Sequence, residues 1–283
     1  YLTLNSLLYE GELTAAETAL RFSKPYVDAA IVADWGAVTL CQRLGVPFHV
    51  STQMSCSNSA AAQFLKQQGA SRVVLARECT LEEVAVIAKT AGIEVETFVH
   101  GAVCVAISGR CLLSHDAYGC SSSRGECRQP CRREFLIREV REGENADAEF
   151  RVTPHTVLSA RDLCSLPFVD RLMAAGISAF KIEGRARNAE YVKAVVAAYR
   201  AAIDAVHGGS FTAERAEEWC VSCERVYHRE FGRGLFHGRP GAGQFTDTDA
   251  NQASVRKLHV GVVLNYYAKA GMVQVQVQDQ PII

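Results

Sequence analysis

The fold class is decided by one stretch of sequence, which reads Arg72-Val-Val-Leu-Ala-Arg77, then Thr80-Leu-Glu-Glu-Val-Ala-Val-Ile-Ala-Lys-Thr-Ala-Gly92, then Val95-Glu-Thr-Phe-Val-His-Gly101. Two short apolar runs flank a segment whose apolar residues follow the helical period, so the stretch predicts strand, helix and strand. Thr80 and Glu83 form a capping box at the start of the helix, and Gly92 stands where the helix should end. This order predicts a βαβ unit with parallel strands.

The same alternation recurs through much of the chain. It gives the strand candidates Tyr1–Leu8, Ala29–Asp34, Phe48–Met54, Arg72–Arg77, Val95–Gly101 and Ser178–Gly184, and the helix candidates Glu12–Arg21, Ala37–Leu44, Ser59–Gln68 and Leu81–Ala91. So many units favour a barrel over an open doubly wound sheet, and no Gly-x-Gly-x-x-Gly motif follows any strand. We therefore predict an α/β fold, a TIM-barrel-like (β/α) domain.

Outside the repeats, the pattern divides the chain into further segments. The alternation of strand and helix patterns stops between Ser114 and Thr156, which predicts an irregular insertion. A long amphipathic helix is predicted from Ala186 to Val206. Alternating valines near the C-terminal end predict strands of a separate unit. The chain opens directly in a strand candidate, so we expect it to be a fragment that lacks the first part of its barrel. The predicted parts are a catalytic domain at 1–206 with an inserted Cys-rich loop at 104–156, a linker region at 207–250, and the start of a small β domain at 251–283.

Composition bounds the class of protein. The chain has 283 residues, 48% of them hydrophobic, and a net charge of −1, which suits a globular domain and requires any nucleic-acid contact to come from a local basic patch. It contains no candidate membrane helix and no signal-peptide pattern, so we predict no membrane partner. The odd number of cysteines, 11, fits a reducing compartment, and we expect a cytoplasmic protein.

Four of the cysteines are grouped at Cys104, Cys111, Cys127 and Cys131. Grouped thiolates repel one another unless a metal offsets their charge, so the grouping predicts a metal centre. Zinc modules usually show two close Cys-x-x-Cys pairs, and the unequal gaps here suit an iron–sulfur cluster better. The alternative is that these cysteines are small buried hydrophobic residues, as we expect for Cys41, Cys56 and Cys79.

Polar side chains gather where the predicted strands end, which in a barrel is the catalytic face. We predict substrate-binding roles for some of them and catalytic roles for Arg77, Glu78 and His100. His100 could act as a general acid or base or could only fix the turn into the Cys-rich loop. Arg77 and Arg185 suit bidentate contact with a carboxylate substrate. Ion pairs of these arginines with Glu78 and Glu183 could instead serve packing alone. The predicted substrate-binding residues are Asn5, Asp34, Gln53, Glu183 and Arg185.

Several motifs make the chain resemble peptidase family U32, the collagenase-like peptidases. The main one is Glu96-x-Phe98-x-His100-Gly-Ala-Val-Cys104-x-x-x-Ser108-Gly-x-Cys111-x-x-Ser114. The others are Ser51-Thr-Gln-Met54, Leu75-Ala-Arg-Glu78, Arg124-Gly-Glu-Cys-Arg-Gln-Pro-Cys-Arg132 and Phe180-Lys-Ile-Glu-Gly-Arg185. The likeness extends from Tyr1 to about Phe236.

The resemblance implies a barrel-like catalytic domain and three kinds of activity besides the peptidase label. Relatives include prephenate-dependent hydroxylases of tRNA wobble uridine, a hydroxylase of a 23S rRNA cytidine, and oxygen-independent ubiquinone-pathway hydroxylation factors that act with a partner subunit. It further implies a [4Fe-4S] cluster on Cys104, Cys111 and Cys127. The fourth ligand is Cys131 in our preferred assignment and Cys164 in the alternative.

We expect an RNA-modifying hydroxylase with prephenate as the hydroxyl donor and tRNA or rRNA as the partner. The arginines of the Cys-rich loop would contact RNA phosphates or would balance the charge of the thiolates. A collagenase-like peptidase and a factor acting with a partner subunit are the alternatives, although no His-Glu-x-x-His, Gly-x-Ser-x-Gly or papain-like cysteine motif is present. The predicted RNA-binding residues are Arg124, Arg128, Arg132 and Arg133.

Overall fold

A computed structural model of the protein describes residues 1–108, 110–133, 135–138, 149–152, 158–185, 187–238, 242–246, 251–255 and 260–278. Parts of the predicted insertion at 104–156 and of the predicted β domain at 251–283 therefore lie outside the described residues.

The predicted βα units are present in the first hundred residues. The elements, in order, are β1 (Leu2–Leu4), α1 (Leu13–Ser23), β2 (Ala30–Val32), α2 (Trp35–Leu44), β3 (Phe48–Val50), α3 (Ser59–Gln67), β4 (Arg72–Val74), α4 (Leu81–Thr90) and β5 (Glu94–Gly101). Local signals set the helix starts: the Thr80 side chain accepts from the Glu83 N–H while the Glu83 carboxylate accepts from the Thr80 N–H, as the capping box predicts.

The second half adds shorter elements and two long helices. They are α5 (Leu113–Tyr118), β6 (Phe135–Arg138), β7 (Glu149–Val152), β8 (Asp162–Cys164), α6 (Val169–Ala174), β9 (Ala179–Ile182), α7 (Ala189–His207), α8 (Ala213–Glu224), β10 (Phe231–Gly232), β11 (Gly261–Tyr267) and β12 (Met272–Val277). The β6–β7 and β11–β12 pairs are antiparallel hairpins outside the main sheet.

Eight strands form one sheet in the part of the chain that the structure describes. Strands β1 to β5 pair in chain order and in parallel, and β9 joins β5 in parallel between Glu96 and His100. β8 pairs antiparallel with the end of β5 and leads to β10. Since the described residues show no pairing between the end strands β1 and β10, the barrel is not closed, and the fold is a mixed α/β architecture with a mostly parallel sheet.

The core lies between this sheet and the helices that cover it. β2 and β3 bury Val32, Phe48 and Val50, and α4 buries Leu81, Val84 and Ile87 against the sheet. The burial of both strand faces explains why the parallel strands read as apolar runs without alternation.

The predicted linker at 207–250 contains regular structure. It holds α8, which packs on α7, and β10, which pairs with β8 in the main sheet. The sheet therefore continues past the boundary predicted at residue 206. No helix among the described residues combines the length and the apolar character that a membrane crossing requires.

Candidate active site

A cavity of about 430 Å³ opens where the parallel strands end. Asn5 follows β1, Gln53 follows β3, Arg77 follows β4, and Glu183 and Arg185 follow β9, and all five line the cavity. The carboxyl ends of parallel strands meet at one edge of a sheet, so these residues converge although they are far apart in sequence. Five of the predicted polar residues thus face one space.

The four grouped cysteines line the same cavity, at its side formed by the Cys-rich loop. Cys104 and Cys127 are exposed, and Cys111 and Cys131 are half-buried. Burial raises the pKa of the Cys131 thiol; Arg132 acts against this shift, and the three other thiols add to it through their charge. The four sulfur atoms therefore share one electrostatic environment.

The donor set can be tested against a metal centre. Within the described residues, no three or more His, Cys, Asp or Glu side chains are arranged to hold a single metal ion. A four-iron cluster takes one thiolate per iron, so its ligands surround it more widely than the ligands of one ion do. Four cysteines around one cavity fit such a cluster in residue type and in number.

Cys164, the alternative fourth ligand, lies elsewhere. It is buried in β8, its Sγ is 3.8 Å from the Sγ of Cys220 on α8, and it is not among the residues that line the cavity. This placement favours Cys131 as the fourth cysteine of the group.

Two of the predicted RNA-binding arginines are used inside the protein. Arg132 donates to Ser159 Oγ (2.7 Å), to Ala160 O (2.6 Å) and to Val103 O (2.9 Å), and it thereby ties both ends of the Cys-rich loop to the strand region before β8. Burial lowers the pKa of Arg132. Arg132 also lines the cavity, so these bonds fix its guanidinium at the cavity wall.

Arg124 ties the loop to the N-terminal segment. Its guanidinium donates to Glu12 Oε1 and Oε2 and to Leu7 O, and it stacks on Tyr9 with 4.7 Å to the ring centroid. This bond lowers the pKa of Glu12 to about 2. Arg128 and Arg133, in contrast, are exposed beside Tyr118.

Arg77 and Glu78 occupy different sides of the turn after β4. Arg77 lines the cavity and donates to Ser108 Oγ at 3.4 Å. Glu78 does not line it, and its carboxylate accepts from the Ser108 N–H (3.0 Å) and hydroxyl (3.3 Å). Glu78 therefore holds the segment between Cys104 and Cys111 in place.

His100 lies in the core, behind the cavity. It is 1% exposed, and its ring packs edge-on against Tyr199 and Phe231 at centroid distances of 5.5 and 5.3 Å. Burial lowers its pKa to about 4, so the imidazole is neutral. His100 is not among the residues that line the cavity, and its burial at the end of β5 is compatible with the second predicted role, that of fixing the turn into the Cys-rich loop.

Asp34 caps a helix and does not line the cavity. Its carboxylate accepts from the Gly36 N–H (2.7 Å) and the Ala37 N–H (3.3 Å) at the start of α2. Asp34 therefore has a structural role at the start of α2. An aspartate directly before a helix is the usual cap, and that signal was available in the sequence.

Sequence analysis missed three contributors to the cavity. Arg110 and Lys181 lie within the quoted motifs and line the cavity. Phe98 also lines it, and its ring centroid is 6.0 Å from the guanidinium carbon of Arg77 and 5.4 Å from Lys181 Nζ. Lys181 also contacts Glu96 at 3.6 Å. Besides the internally bonded Arg132, the cavity lining thus contains the cations Arg77, Arg110, Lys181 and Arg185 against one carboxylate, Glu183. The cationic side chains of the lining therefore outnumber its carboxylates, which suits an anionic ligand.

Comparison with known proteins identifies related sequences. The family model described as peptidase family U32 matches residues 1–246. A collagenase of Porphyromonas gingivalis is 32% identical over 99% of this chain and 69% of its own length. The tRNA hydroxylation protein P1 of Bacillus subtilis is 34% identical over 98% of this chain and 66% of that protein. A 23S rRNA 5-hydroxycytidine synthase of Escherichia coli is 35% identical over 81% of this chain and 35% of that protein.

Proposed function

Since the chain belongs to peptidase family U32, we propose that it is an iron–sulfur enzyme that hydroxylates a nucleobase of tRNA or rRNA. The observation that carries this proposal is the cavity that four cysteines line together with polar residues of the strand ends. Two similar proteins are named for hydroxylation of tRNA and of rRNA cytidine, which supports the same class of substrate here. A cytoplasmic location accompanies this proposal.

The residues that would hold the cluster are Cys104, Cys111, Cys127 and Cys131. When bound, a [4Fe-4S] cluster supplies one-electron chemistry. The chain's own contribution is to fix the thiols through Arg132 and Arg124, which bond the loop to the segments beside β5 and β8 and to the N-terminal segment.

The remaining cavity residues would bind and orient the reactants. Arg77 and Arg185 would hold an anionic hydroxyl donor such as prephenate, because a guanidinium matches a carboxylate in two parallel hydrogen bonds. Asn5 and Gln53 would offer amide donors and acceptors to the edge of a nucleobase, and Phe98 an aromatic surface for its face. The base would have to leave its RNA stack to reach these groups.

The second candidate is a peptidase, which the collagenase name of one similar protein favours. A thiolate protease needs a base beside its cysteine. No histidine is among the described residues that line the cavity, and His100 is buried behind it. We therefore rank peptide hydrolysis second.

Mass spectrometry of ribonucleosides from a strain that lacks the gene tests the proposal. We expect one hydroxylated nucleoside to disappear, to return with the wild-type gene, and to stay absent with Cys104→Ala or Arg77→Gln. Cys120→Ala is the matched control, because Cys120 lies in the same loop but does not line the cavity, and it should restore the product. An unchanged nucleoside profile, together with loss of a peptidase activity, would favour the second candidate.

A further inference from the structure

The Cys-rich loop carries an aromatic ring that two exposed cations contact. Tyr118 is the last residue of α5 and is half-buried. The guanidinium carbon of Arg128 lies 5.8 Å from the centroid of the Tyr118 ring, and that of Arg133 lies 5.1 Å from it. We call these three side chains the Tyr118 clamp.

The two arginines of the Tyr118 clamp are available to a partner. Both are exposed, and within the described residues neither forms an ion pair with a carboxylate. They differ in this from Arg124 and Arg132 of the same loop, whose guanidinium groups bond to Glu12 and to backbone carbonyls. Of these four arginines, Arg124 and Arg132 hold the loop in place, and Arg128 and Arg133 are exposed.

The Tyr118 clamp lies on the same loop as the cavity lining. Cys127 and the residues from Gln129 to Arg132 line the cavity, whereas Arg128 and Arg133 contact Tyr118. Large apolar side chains are also exposed nearby in sequence: Ile107, which lines the cavity, is 56% exposed, and Leu112 is 76% exposed. Arg128 and Arg133 are direct chain neighbours of residues that line the cavity.

We propose that the Tyr118 clamp binds unpaired RNA next to the nucleotide that enters the cavity, with a base stacked on Tyr118 and with Arg128 and Arg133 against phosphates. This inference rests on the proposed function and specifies the form of its substrate. An aromatic face with flanking guanidinium groups fits a planar base joined to phosphates, and it fits an acidic protein segment less well because carboxylates offer nothing to stack. A duplex hides its base faces, so the partner is a single-stranded loop.

Fluorescence anisotropy of the full chain, purified anaerobically, tests this inference. The probes are a short labelled single-stranded RNA of mixed sequence, the same strand annealed to its complement, and a poly-glutamate peptide as a competitor. The variants are Tyr118→Ala, Tyr118→Phe and the double variant Arg128→Gln/Arg133→Gln, each checked by thermal unfolding. The double variant Arg21→Gln/Arg200→Gln removes two exposed arginines of α1 and α7 and serves as the charge control.

We expect Tyr118→Ala to weaken single-strand binding about 5- to 150-fold without changing its salt dependence, because stacking of one base is lost. Tyr118→Phe should bind like the wild type, since the ring remains. The Arg128/Arg133 double variant should reduce the slope of log K against log salt by about 1.4, at about 0.7 for each phosphate contact. The control double variant should keep the wild-type slope, and the duplex should bind more weakly than the single strand.

Other results would overturn the inference. Equal binding by Tyr118→Ala and the wild type, equal binding of duplex and single strand, or displacement of RNA by poly-glutamate at similar concentrations would each contradict it. If Tyr118→Ala fails to fold, the salt dependence of RNA binding by the Arg128→Gln/Arg133→Gln double variant tests the inference. If the wild type binds no RNA, the proposed function is contradicted as well. If the variants of the Tyr118 clamp bind and modify RNA like the wild type, only this inference is contradicted.

Discussion

His100 shows how burial sets the chemistry of a single residue. Its pKa falls from 6.5 to about 4 because the folded protein removes the ring from water. Between these two pH values the unfolded chain binds a proton that the folded chain does not, so the free energy of unfolding decreases as the pH falls through this window. Above pH 6.5 the ring is neutral in both states and contributes no pH dependence.

We predict that His100→Gln makes the free energy of unfolding depend less on pH below about pH 6.5. The wild type should lose up to about 3 kcal/mol between about pH 7 and about pH 4 because of this group, and the variant should lack that part of the loss. Urea unfolding at both pH values measures it. His49, His228 and His237, whose pKa values are also lowered, remain in both proteins. An identical pH dependence in both proteins would show that His100 is not held neutral by burial.

Gly101 is required by backbone geometry at the start of the Cys-rich loop. Its φ is +106°, and a Cβ there would meet the Glu183 carbonyl oxygen at 2.5 Å and the Tyr191 hydroxyl at 3.0 Å. The close approach lets the Glu183 N–H donate to the His100 carbonyl at 2.8 Å, and it joins β5 to the segment that carries Glu183 and Arg185.

We predict that Gly101→Ala destabilises the protein by about 2 kcal/mol or more, through backbone strain and the clash with Glu183. Gly11→Ala is the matched control, because a Cβ at Gly11 meets nothing within 4 Å, and it should change stability by less than about 0.5 kcal/mol. Thermal unfolding of the two variants decides the matter. Equal stability of both variants would contradict the role given to Gly101.

At the scale of elements, the Cys-rich loop is held by side chains and not by a sheet. Arg132 donates to three oxygen atoms at the two ends of the loop. We predict that Arg132→Gln costs about 2 kcal/mol or more, because buried acceptors lose their partner, and that it increases proteolysis in the loop. The neighbouring Arg133→Gln should change stability by less than about 0.5 kcal/mol, since Arg133 is exposed. Equal protease sensitivity of the two variants would contradict this prediction.

The βα elements could be predicted because their signals are local. The capping box at Thr80 and the apolar period of α4 lie within a few residues of each other, and the predicted helix Leu81–Ala91 agrees with the observed Leu81–Thr90. β10 could not be predicted, because it has two residues and depends on pairing with β8, about 70 positions away. The segment 207–250 therefore read as a linker although it contains α8 and a strand of the main sheet.

At the scale of the whole molecule, the sheet brings distant polar residues to one cavity. The rule that strand ends converge was sufficient to predict Asn5, Gln53, Arg77, Glu183 and Arg185. It did not place Asp34, Glu78 and His100 in the lining, since a polar residue at a strand end can equally cap a helix, hold a turn or be buried. The position of Asp34 directly before α2 signals its capping role, whereas the roles of Glu78 and His100 depend on side-chain direction, which the sequence pattern does not contain.

The spacing of the cysteines predicts the group Cys104, Cys111, Cys127 and Cys131, with Cys164 as the alternative fourth ligand. Their positions in the folded chain support the preference for Cys131. Cys131 lines the cavity with the other three, and Cys164 contacts Cys220 in the core. The central proposal is therefore that Cys104, Cys111, Cys127 and Cys131 hold one iron–sulfur cluster at the cavity.

Quantitation of iron and acid-labile sulfide after anaerobic purification, with an optical spectrum, tests this proposal most directly. We predict about four irons and four sulfides per chain in the wild type, loss of both in Cys104→Ala and Cys131→Ala, and retention in Cys120→Ala and Cys164→Ala. Zinc or no metal in the wild type, or loss of iron with Cys164→Ala but not with Cys131→Ala, would contradict it.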